Sequence, residues 1–192
     1  MKALVALADG VEEMEAVTVI DVLRRGRVEV VAAATAANRE VAGSRGVRLV
    51  ADALWQEVSA GSFDLLVIPG GAAGMEKLRA DKRVLAALRD FTAAGKTVAA
   101  ICAGPLVLEA AGVLRGRRAT CYPALRHELR SATAVDEPVV EDGNVITSQG
   151  PATAMAFALR LVQRLGGEAA AAQVAAALLA PGPTPGSCSA PR

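Results

Sequence analysis

The chain has 192 residues, 53% of them apolar, which is enough for one domain with a buried core. Only 3% of the residues are aromatic, and 21 Lys and Arg nearly balance 20 Asp and Glu. The net charge of +1 gives no broad positive field, so nucleic acid and anionic membranes are not expected partners.

Residues 1–180 are predicted to form a single α/β domain, followed by a disordered tail over 181–192 that is rich in Pro, Gly and Ser. The first apolar stretch reaches Asp9 too soon for a signal peptide, and the apolar run at 174–180 is too short to cross a bilayer. The three cysteines lack the spacing of a zinc site or a disulfide framework. We therefore expect a cytoplasmic protein with no metal and no cofactor.

The first half of the chain alternates between strand and helix patterns. A continuous aliphatic run predicts a strand over 3–8, and a helical pattern then leads to Gly26. Further strands are predicted over 28–33 and 64–68, with a short extra strand at 47–50. The strand at 64–68 stops at Pro69-Gly70-Gly71.

The second half continues this alternation. Surface helices are predicted within 75–91, and helices over 106–111, 152–165 and 168–179; strands are predicted over 97–101 and 119–121, with a hairpin over 139–146. Strands alternating with helices indicate a mostly parallel sheet covered on both faces, with functional sites at the carboxyl ends of strands. Three segments with unusual residue types directly follow predicted strands and so lie at these ends, namely 9–15, 69–71 and 102–105.

Cys102 is the strongest candidate for a nucleophile. It follows a buried strand and precedes a helix that Pro105 helps to start. Its small neighbours Ala100, Ala103 and Gly104 permit a tight strand-to-helix turn like that of serine hydrolases. Amides at the helix N-terminus would stabilise a thiolate and lower the thiol pKa. The local pattern is equally compatible with a small buried cysteine that only packs.

The other two cysteines are weaker candidates. Cys121 lies in a short strand fragment, where packing is the better interpretation. Cys188 lies in the tail and is interpreted as an incidental exposed thiol. The only histidine, His127, sits among charged residues, which favours a solvated surface over catalysis and weakens any Cys-His mechanism.

Three carboxyl groups open the first predicted helix. Glu12 and Glu13 are explained by interaction with the helix dipole. Helical spacing directs Glu15 towards the edge of the sheet, where a partly desolvated carboxyl would stay protonated and could exchange protons with a thiol or substrate. The Gly70-Gly71 step could present backbone amides as an oxyanion hole, or be an ordinary glycine turn.

Together these motifs resemble the ThiJ/PfpI superfamily, in the branch of the Parkinsonism-associated protein DJ-1 and bacterial YajL. The resemblance runs from about Lys2 to Leu178 and is carried by five segments: Asp9 to Glu15, Ser44 to Val47, Val67 to Gly71, Ala99 to Pro105, and Thr147 to Pro151. It implies a flavodoxin-like three-layer α/β/α sandwich, a homodimer, and a redox-sensitive nucleophile Cys102 assisted by Glu15. It also implies oxyanion contacts from Gly71 and Ala103.

Members of this family are described as glyoxalases that convert methylglyoxal to lactate without glutathione, as deglycases that act on early glycation adducts, and as stress chaperones. The resemblance therefore implies a cysteine-dependent enzyme acting on small aldehydes or glycated adducts, or alternatively a non-enzymatic redox sensor; a peptidase is poorly supported. One departure is Tyr122, which stands where some relatives have histidine. A phenol is no neutral-pH base, so we place Tyr122 among the substrate-binding candidates.

Overall fold

A computed structural model describes residues 1–181, in which strands and helices alternate along the chain. The strands are β1 (Lys2–Leu7), β2 (Glu29–Ala34), β3 (Glu40–Ala42), β4 (Arg48–Val50), β5 (Ala53–Leu54), β6 (Leu65–Ile68), β7 (Thr97–Ile101), β8 (Arg118–Ala119), β9 (Thr133–Ala134), β10 (Val139–Asp142) and β11 (Val145–Ser148). The α-helices are α1 (Glu13–Arg25), α2 (Ala72–Ala80), α3 (Lys82–Ala93), α4 (Pro105–Ala111), α5 (Ala154–Gly166) and α6 (Glu168–Ala177).

Seven strands form the main sheet in the order β10-β11-β7-β6-β1-β2-β5. Every neighbouring pair is parallel except β10 with β11, which form the predicted hairpin. All residues of β6, β7 and β11 are buried, because helices cover both faces of the sheet. The continuous aliphatic runs in the sequence are therefore central strands of a parallel sheet.

The helices divide into two layers, which confirms the predicted α/β/α sandwich with a mostly parallel sheet. Helices α1, α5 and α6 pack together on one face, around fully buried residues such as Val19 and Phe157. Helices α2, α3 and α4 pack on the other face, around Leu88 and Phe91. Each layer contributes one part of the site, since α1 lies in the first and α4 in the second.

The short elements differ most from the prediction. The strand predicted over 119–121 is β8, which ends at Ala119 because the next residues bond elsewhere: the Thr120 amide donates to Thr147 Oγ1 at 2.9 Å. Strands β3, β5 and β9 were not predicted, since such runs of two or three residues carry no periodic signal. In the β10–β11 hairpin the two loop residues are Gly143 and Asn144, whereas the sequence favours the Asp142-Gly143 step as the turn.

Within residues 1–181, no helix is both long enough and apolar enough to span a membrane. The predicted tail over 181–192 lies outside the described residues except for Pro181, and Cys188 lies outside them as well.

Candidate active site

Cys102 lies at the carboxyl end of β7, on the turn that leads into α4. Its backbone has φ of 62°, in the left-handed region that non-glycine residues rarely adopt and that costs on the order of 1–3 kcal/mol. Two hydrogen bonds hold this conformation: the Cys102 amide donates to the carbonyl of Ser148 at 3.0 Å, and the Tyr122 amide donates to the Cys102 carbonyl at 2.8 Å. The side chain is half-buried. The predicted sharp strand-to-helix turn is therefore present, and it projects the thiol from the end of the sheet.

The turn depends on residues without side chains. A Cβ on Gly104 would lie 2.4 Å from the carbonyl oxygen of Ile68, which no ordinary contact allows. A Cβ on Gly70 would lie 2.5 Å from Glu15 Oε2 and 3.1 Å from Cys102 Sγ. Gly70 thus lies between the carboxyl and the thiol, and its missing side chain lets these two groups approach each other.

Glu15 extends from the first turn of α1 towards Cys102 and has no exposed surface. Its Oε2 accepts a hydrogen bond of 2.8 Å from the Gly70 amide, while Oε1 is buried and has no hydrogen-bond partner of its own. Burial raises the pKa of Glu15 to about 7, and the nearby carboxylate of Glu12 contributes in the same direction. The sequence predicted a desolvated carboxyl that tends to keep its proton, and the raised pKa agrees with that prediction.

The thiol differs from the sequence-based expectation. Burial, followed by the negative charge of Glu15, raises the pKa of Cys102 to about 12, whereas the helix-terminus argument predicted a lowered pKa. The backbone amides of Ala103 and Gly71 act in the opposite direction by bonding to the sulfur. Because the charge on Glu15 is one of the causes, protonating Glu15 removes part of the penalty on a thiolate.

Gly70 and Gly71 take different roles. The sequence had suggested that the amides of both glycines form an oxyanion hole. The Gly70 amide instead donates to Glu15, so it is not free to stabilise an oxyanion. Gly71 adopts φ of 92°, and a Cβ there would lie 2.1 Å from the carbonyl oxygen of Gly10, so only glycine fits. The amides that face Cys102 are therefore those of Gly71 and Ala103.

Tyr122 contacts Cys102 through its backbone. Its amide bonds to the Cys102 carbonyl, and its ring carbon Cδ2 would be 3.6 Å from a Cβ on Gly150. The tyrosine is 47% exposed. The structure therefore brings together all six candidates from the sequence: Cys102, Glu15, Gly70, Gly71, Ala103 and Tyr122.

Glu13 and Glu12 do more than complement the helix dipole. Glu13 is buried, and its carboxylate accepts hydrogen bonds from the Ser44 hydroxyl at 3.0 Å and from the Arg45 amide at 2.8 Å. Glu12 caps α1, since its Oε2 accepts from the Glu15 amide at 2.8 Å. Sequence reasoning missed the Glu13 contact because its partners lie more than thirty residues away in the loop between β3 and β4.

Cys121 and His127 have different surroundings from Cys102. Cys121 is fully buried and belongs to the core of α2, α3 and α4, whereas Cys102 packs against the opposite core. Burial raises the pKa of Cys121 to about 11, so it is a packing residue as predicted. His127 is exposed in a 3₁₀ turn over Pro123–Glu128.

Comparison with known proteins places this geometry in a family. Residues 1–164 match the model of the DJ-1/PfpI family. Protein DJ-1 homolog B of Arabidopsis thaliana is 43% identical over 177 residues, which cover 92% of this chain and 40% of that protein. A Pyrococcus abyssi protein named a deglycase is 35% identical over 167 residues, covering 86% of this chain and 99% of that protein.

Solved structures agree with the sequence comparison. The crystal structure of Drosophila melanogaster DJ-1beta superposes with a TM-score of 0.91 at 40% identity, covering 94% of this chain and 98% of that one. Oxidized Toxoplasma gondii DJ-1 gives a TM-score of 0.90 at 39% identity, covering 93% and 98%. Family model, sequence relatives and structures thus agree along nearly the whole described chain, and the protein belongs to the DJ-1/PfpI family.

Proposed function

We propose that this protein is a cysteine-dependent enzyme of carbonyl-stress defence that converts methylglyoxal to lactate without glutathione, or releases the same carbonyl from early glycation adducts. The observation that carries the proposal is the pairing of Cys102 with a buried carboxyl whose pKa is about 7. A group with that pKa can accept and return a proton near neutral pH. Family membership and the Pyrococcus relative named a deglycase support this class of reaction.

The first step is addition of sulfur to the aldehyde. The Glu15 carboxylate takes the thiol proton while Cys102 Sγ forms a bond to the aldehyde carbon. Negative charge moves to the aldehyde oxygen, where the amides of Gly71 and Ala103 stabilise it, as they stabilise a thiolate in the free site. Glu15 then returns the proton to this oxygen, which gives a hemithioacetal.

The second step moves a hydrogen between the two carbons of the substrate. Glu15 removes the hydrogen from the former aldehyde carbon as a proton, and the electron pair passes through an enediolate. The same carboxyl protonates the neighbouring carbon, so that one carbon is oxidised and the other is reduced within one molecule. The product is a thioester of lactate on Cys102, which water cleaves to lactate and the free thiol.

Glycated adducts require one further step before this sequence. In an early adduct the carbonyl carbon carries a hydroxyl and a bond to nitrogen or sulfur. Expulsion of that group regenerates the aldehyde, which Cys102 captures as described, and the side chain of the repaired protein leaves with a proton. The half-buried thiol at the end of the sheet supports access by such a substrate.

A second candidate is a redox sensor. A peroxide would oxidise the Cys102 thiolate to a sulfenate and release water, and a second equivalent would give the sulfinate. The buried, unpartnered Oε1 of Glu15 favours this alternative, because a protonated carboxyl there can donate a hydrogen bond to a sulfinate oxygen. An oxidised state is described for the similar Toxoplasma protein.

The homodimer is likewise a proposal. Four exposed apolar side chains lie on two neighbouring elements that Glu13 ties together: Met14 and Val17 on α1, and Val47 and Val50 on and beside β4. They form an apolar patch that a second copy of the chain would cover. Analytical ultracentrifugation of wild type and Val17→Glu tests this, and a monomeric wild type would contradict it.

The enzyme proposal is tested by replacing each described cysteine with serine. Cys102→Ser should lower lactate formation from methylglyoxal at least about a thousandfold, as expected when a nucleophile is removed. Cys121→Ser is the matched control and should keep most of its turnover. If Cys102→Ser retained the rate of lactate formation, the enzyme proposal would be wrong. If peroxide oxidised Cys102 stoichiometrically and wild type showed no turnover, the redox-sensor alternative would be favoured.

A further inference from the structure

The left-handed backbone of Cys102 depends on a carbonyl at the end of β11. The Cys102 amide donates to the Ser148 carbonyl at 3.0 Å, and Ser148 lies opposite Ile101 at the last position where β11 pairs with β7. A non-glycine residue keeps such a conformation only where its surroundings hold it there. Whatever fixes Ser148 therefore also fixes the nucleophile.

The side chain of Ser148 is buried and belongs to a short chain of hydroxyl groups. Ser148 Oγ lies 2.7 Å from the Pro138 carbonyl oxygen and 2.6 Å from Thr153 Oγ1. Thr153 Oγ1 in turn accepts from the Gly150 amide at 3.1 Å and lies 2.9 Å from the Gly150 carbonyl oxygen. The two hydroxyls thus join the residue before β10, the end of β11 and the turn that leads into α5.

The number of protons limits how this chain can be arranged. Each hydroxyl has one proton to donate, and the carbonyls of Pro138 and Gly150 only accept. Two oxygen atoms 2.6 Å apart share a proton, so either Ser148 or Thr153 donates to the other. Removing either hydroxyl therefore breaks the bond between the end of β11 and the turn before α5.

We propose that Ser148 and Thr153 are positioning residues for the nucleophile: their bonded hydroxyls hold the Ser148 carbonyl where it keeps Cys102 in its left-handed conformation. This inference rests on the proposed function, since it names residues on which the reaction at Cys102 depends. Without the hydroxyl bond, Ser148 can shift and Cys102 can relax, which moves the sulfur away from Glu15 and from the backbone amides that face it.

The first readout is turnover. A displacement of about 1 Å at a reacting atom can cost about a hundredfold in rate. Thr153→Val keeps the shape of the side chain, and we expect it to lower kcat for lactate formation about ten- to a hundredfold while KM changes less than about threefold. Thr153→Ser keeps the hydroxyl and should restore most of kcat.

The second readout is the pH profile of Cys102 alkylation by iodoacetamide, which needs no turnover. Burial raises the pKa of this thiol, and Glu15 is the charged side chain of the described residues that adds to the effect. Glu12 acts in turn on Glu15. Moving the sulfur out of these surroundings lowers the pKa of the thiol, so the profile of Thr153→Val should shift to lower pH. Thr153→Ser should keep the wild-type profile.

Thr92→Val is the matched control. It also removes a hydroxyl from a partly exposed threonine, on α3, where Oγ1 donates to the Leu88 carbonyl at 2.9 Å. It should keep the wild-type kcat and alkylation profile. Ser148→Ala removes the other half of the hydroxyl bond and should change both readouts in the same direction as Thr153→Val. It provides the test if urea unfolding shows that Thr153→Val does not fold.

A loss of kcat in Thr153→Val that Thr153→Ser does not restore, or that Thr92→Val shares, would overturn the inference. An alkylation profile that stays in place in both Thr153→Val and Ser148→Ala would also overturn it. If wild type forms no lactate but the profile shifts as expected, the proposed function is wrong and the positioning role stands. If wild type forms lactate and neither readout changes, the positioning role is wrong and the proposed function stands.

Discussion

The first turn of α1 holds two buried glutamates whose surroundings act on them in opposite ways. Glu13 and Glu15 lie two positions apart and point to opposite sides of the helix. Burial alone would raise the pKa of both. For Glu13, hydrogen bonds from its own backbone, Arg45, Ser44 and Val47 reverse that effect and lower the pKa. For Glu15, burial outweighs the hydrogen bonds from Gly70 and Cys102, and the pKa stays raised, at about 7.

The number of hydrogen-bond donors, more than burial, therefore decides which of the two carboxyl groups can transfer a proton. Glu13 is saturated by the loop between β3 and β4 and remains an anion. Glu15 keeps one oxygen without a hydrogen-bond partner and faces a thiol. The same residue type thus serves as a structural anchor on one side of the helix and as a proton carrier on the other.

The largest expected effect separates the two glutamates by turnover. Glu15→Gln keeps an acceptor for the Gly70 amide but can neither take nor return a proton, so lactate formation should fall by about 10²- to 10⁴-fold. Glu13→Gln is the matched control and should retain most of its activity. Steady-state lactate formation at pH 7 measures both.

Equal losses of lactate formation in Glu15→Gln and Glu13→Gln would contradict this difference between the two glutamates. They would mean that both carboxyls act only by holding the loops around Cys102 in place. A Cys102 alkylation rate measured on the same samples gives a second readout. Removing the negative charge in Glu15→Gln should lower the pKa of the thiol and shift its alkylation profile to lower pH, whereas Glu13→Gln should leave that profile in place.

Much of this site could be predicted from sequence because it is local. Cys102, Ala103 and Gly104 follow a buried strand directly, and the small side chains at these positions indicate a tight turn. Glu15 could be placed on the sheet side of α1 by helical spacing alone. The parallel sheet was predictable for a similar reason, since continuous aliphatic runs mark its central strands.

The features that were missed depend on contacts between distant segments. The loop that saturates Glu13 lies more than thirty residues away, so no local pattern distinguishes Glu13 from Glu15. The thiol pKa of Cys102 was predicted in the wrong direction because the helix-terminus argument considered only local amides. Burial by the sheet and the charge of Glu15, which come from other parts of the fold, dominate instead.

The next effect is on stability and has a defined sign. Because the pKa of Glu15 rises from 4.5 to about 7 on folding, the folded state retains a proton that the unfolded state loses between these values. The contribution is fully present below pH 4.5 and is lost as the pH rises through 7, and it amounts to as much as about 3 kcal/mol. Urea unfolding of wild type and Glu15→Gln at pH 5 and pH 8 measures it.

Subtracting the Glu15→Gln values removes the contribution of other titrating groups to first order. Wild type should lose up to about 3 kcal/mol relative to this variant between pH 5 and pH 8. A difference that does not depend on pH would show that Glu15 titrates alike in both states. The proton carrier of the proposed mechanism would then have an ordinary pKa.

The smallest effect tests the other glutamate and should have the opposite pH dependence. Replacing Glu13 with Gln removes the charge that accepts the Ser44 and Arg45 donors, which should cost about 1.5–3 kcal/mol of unfolding free energy at pH 7. Because folding lowers the pKa of Glu13, this stabilisation is present above pH 4.5 and declines as the pH falls through the folded pKa. Ser44→Ala, which removes one donor, should give a smaller loss with the same pH dependence. A Glu13→Gln penalty that grew on acidification would mean that Glu13, like Glu15, is held in its protonated form.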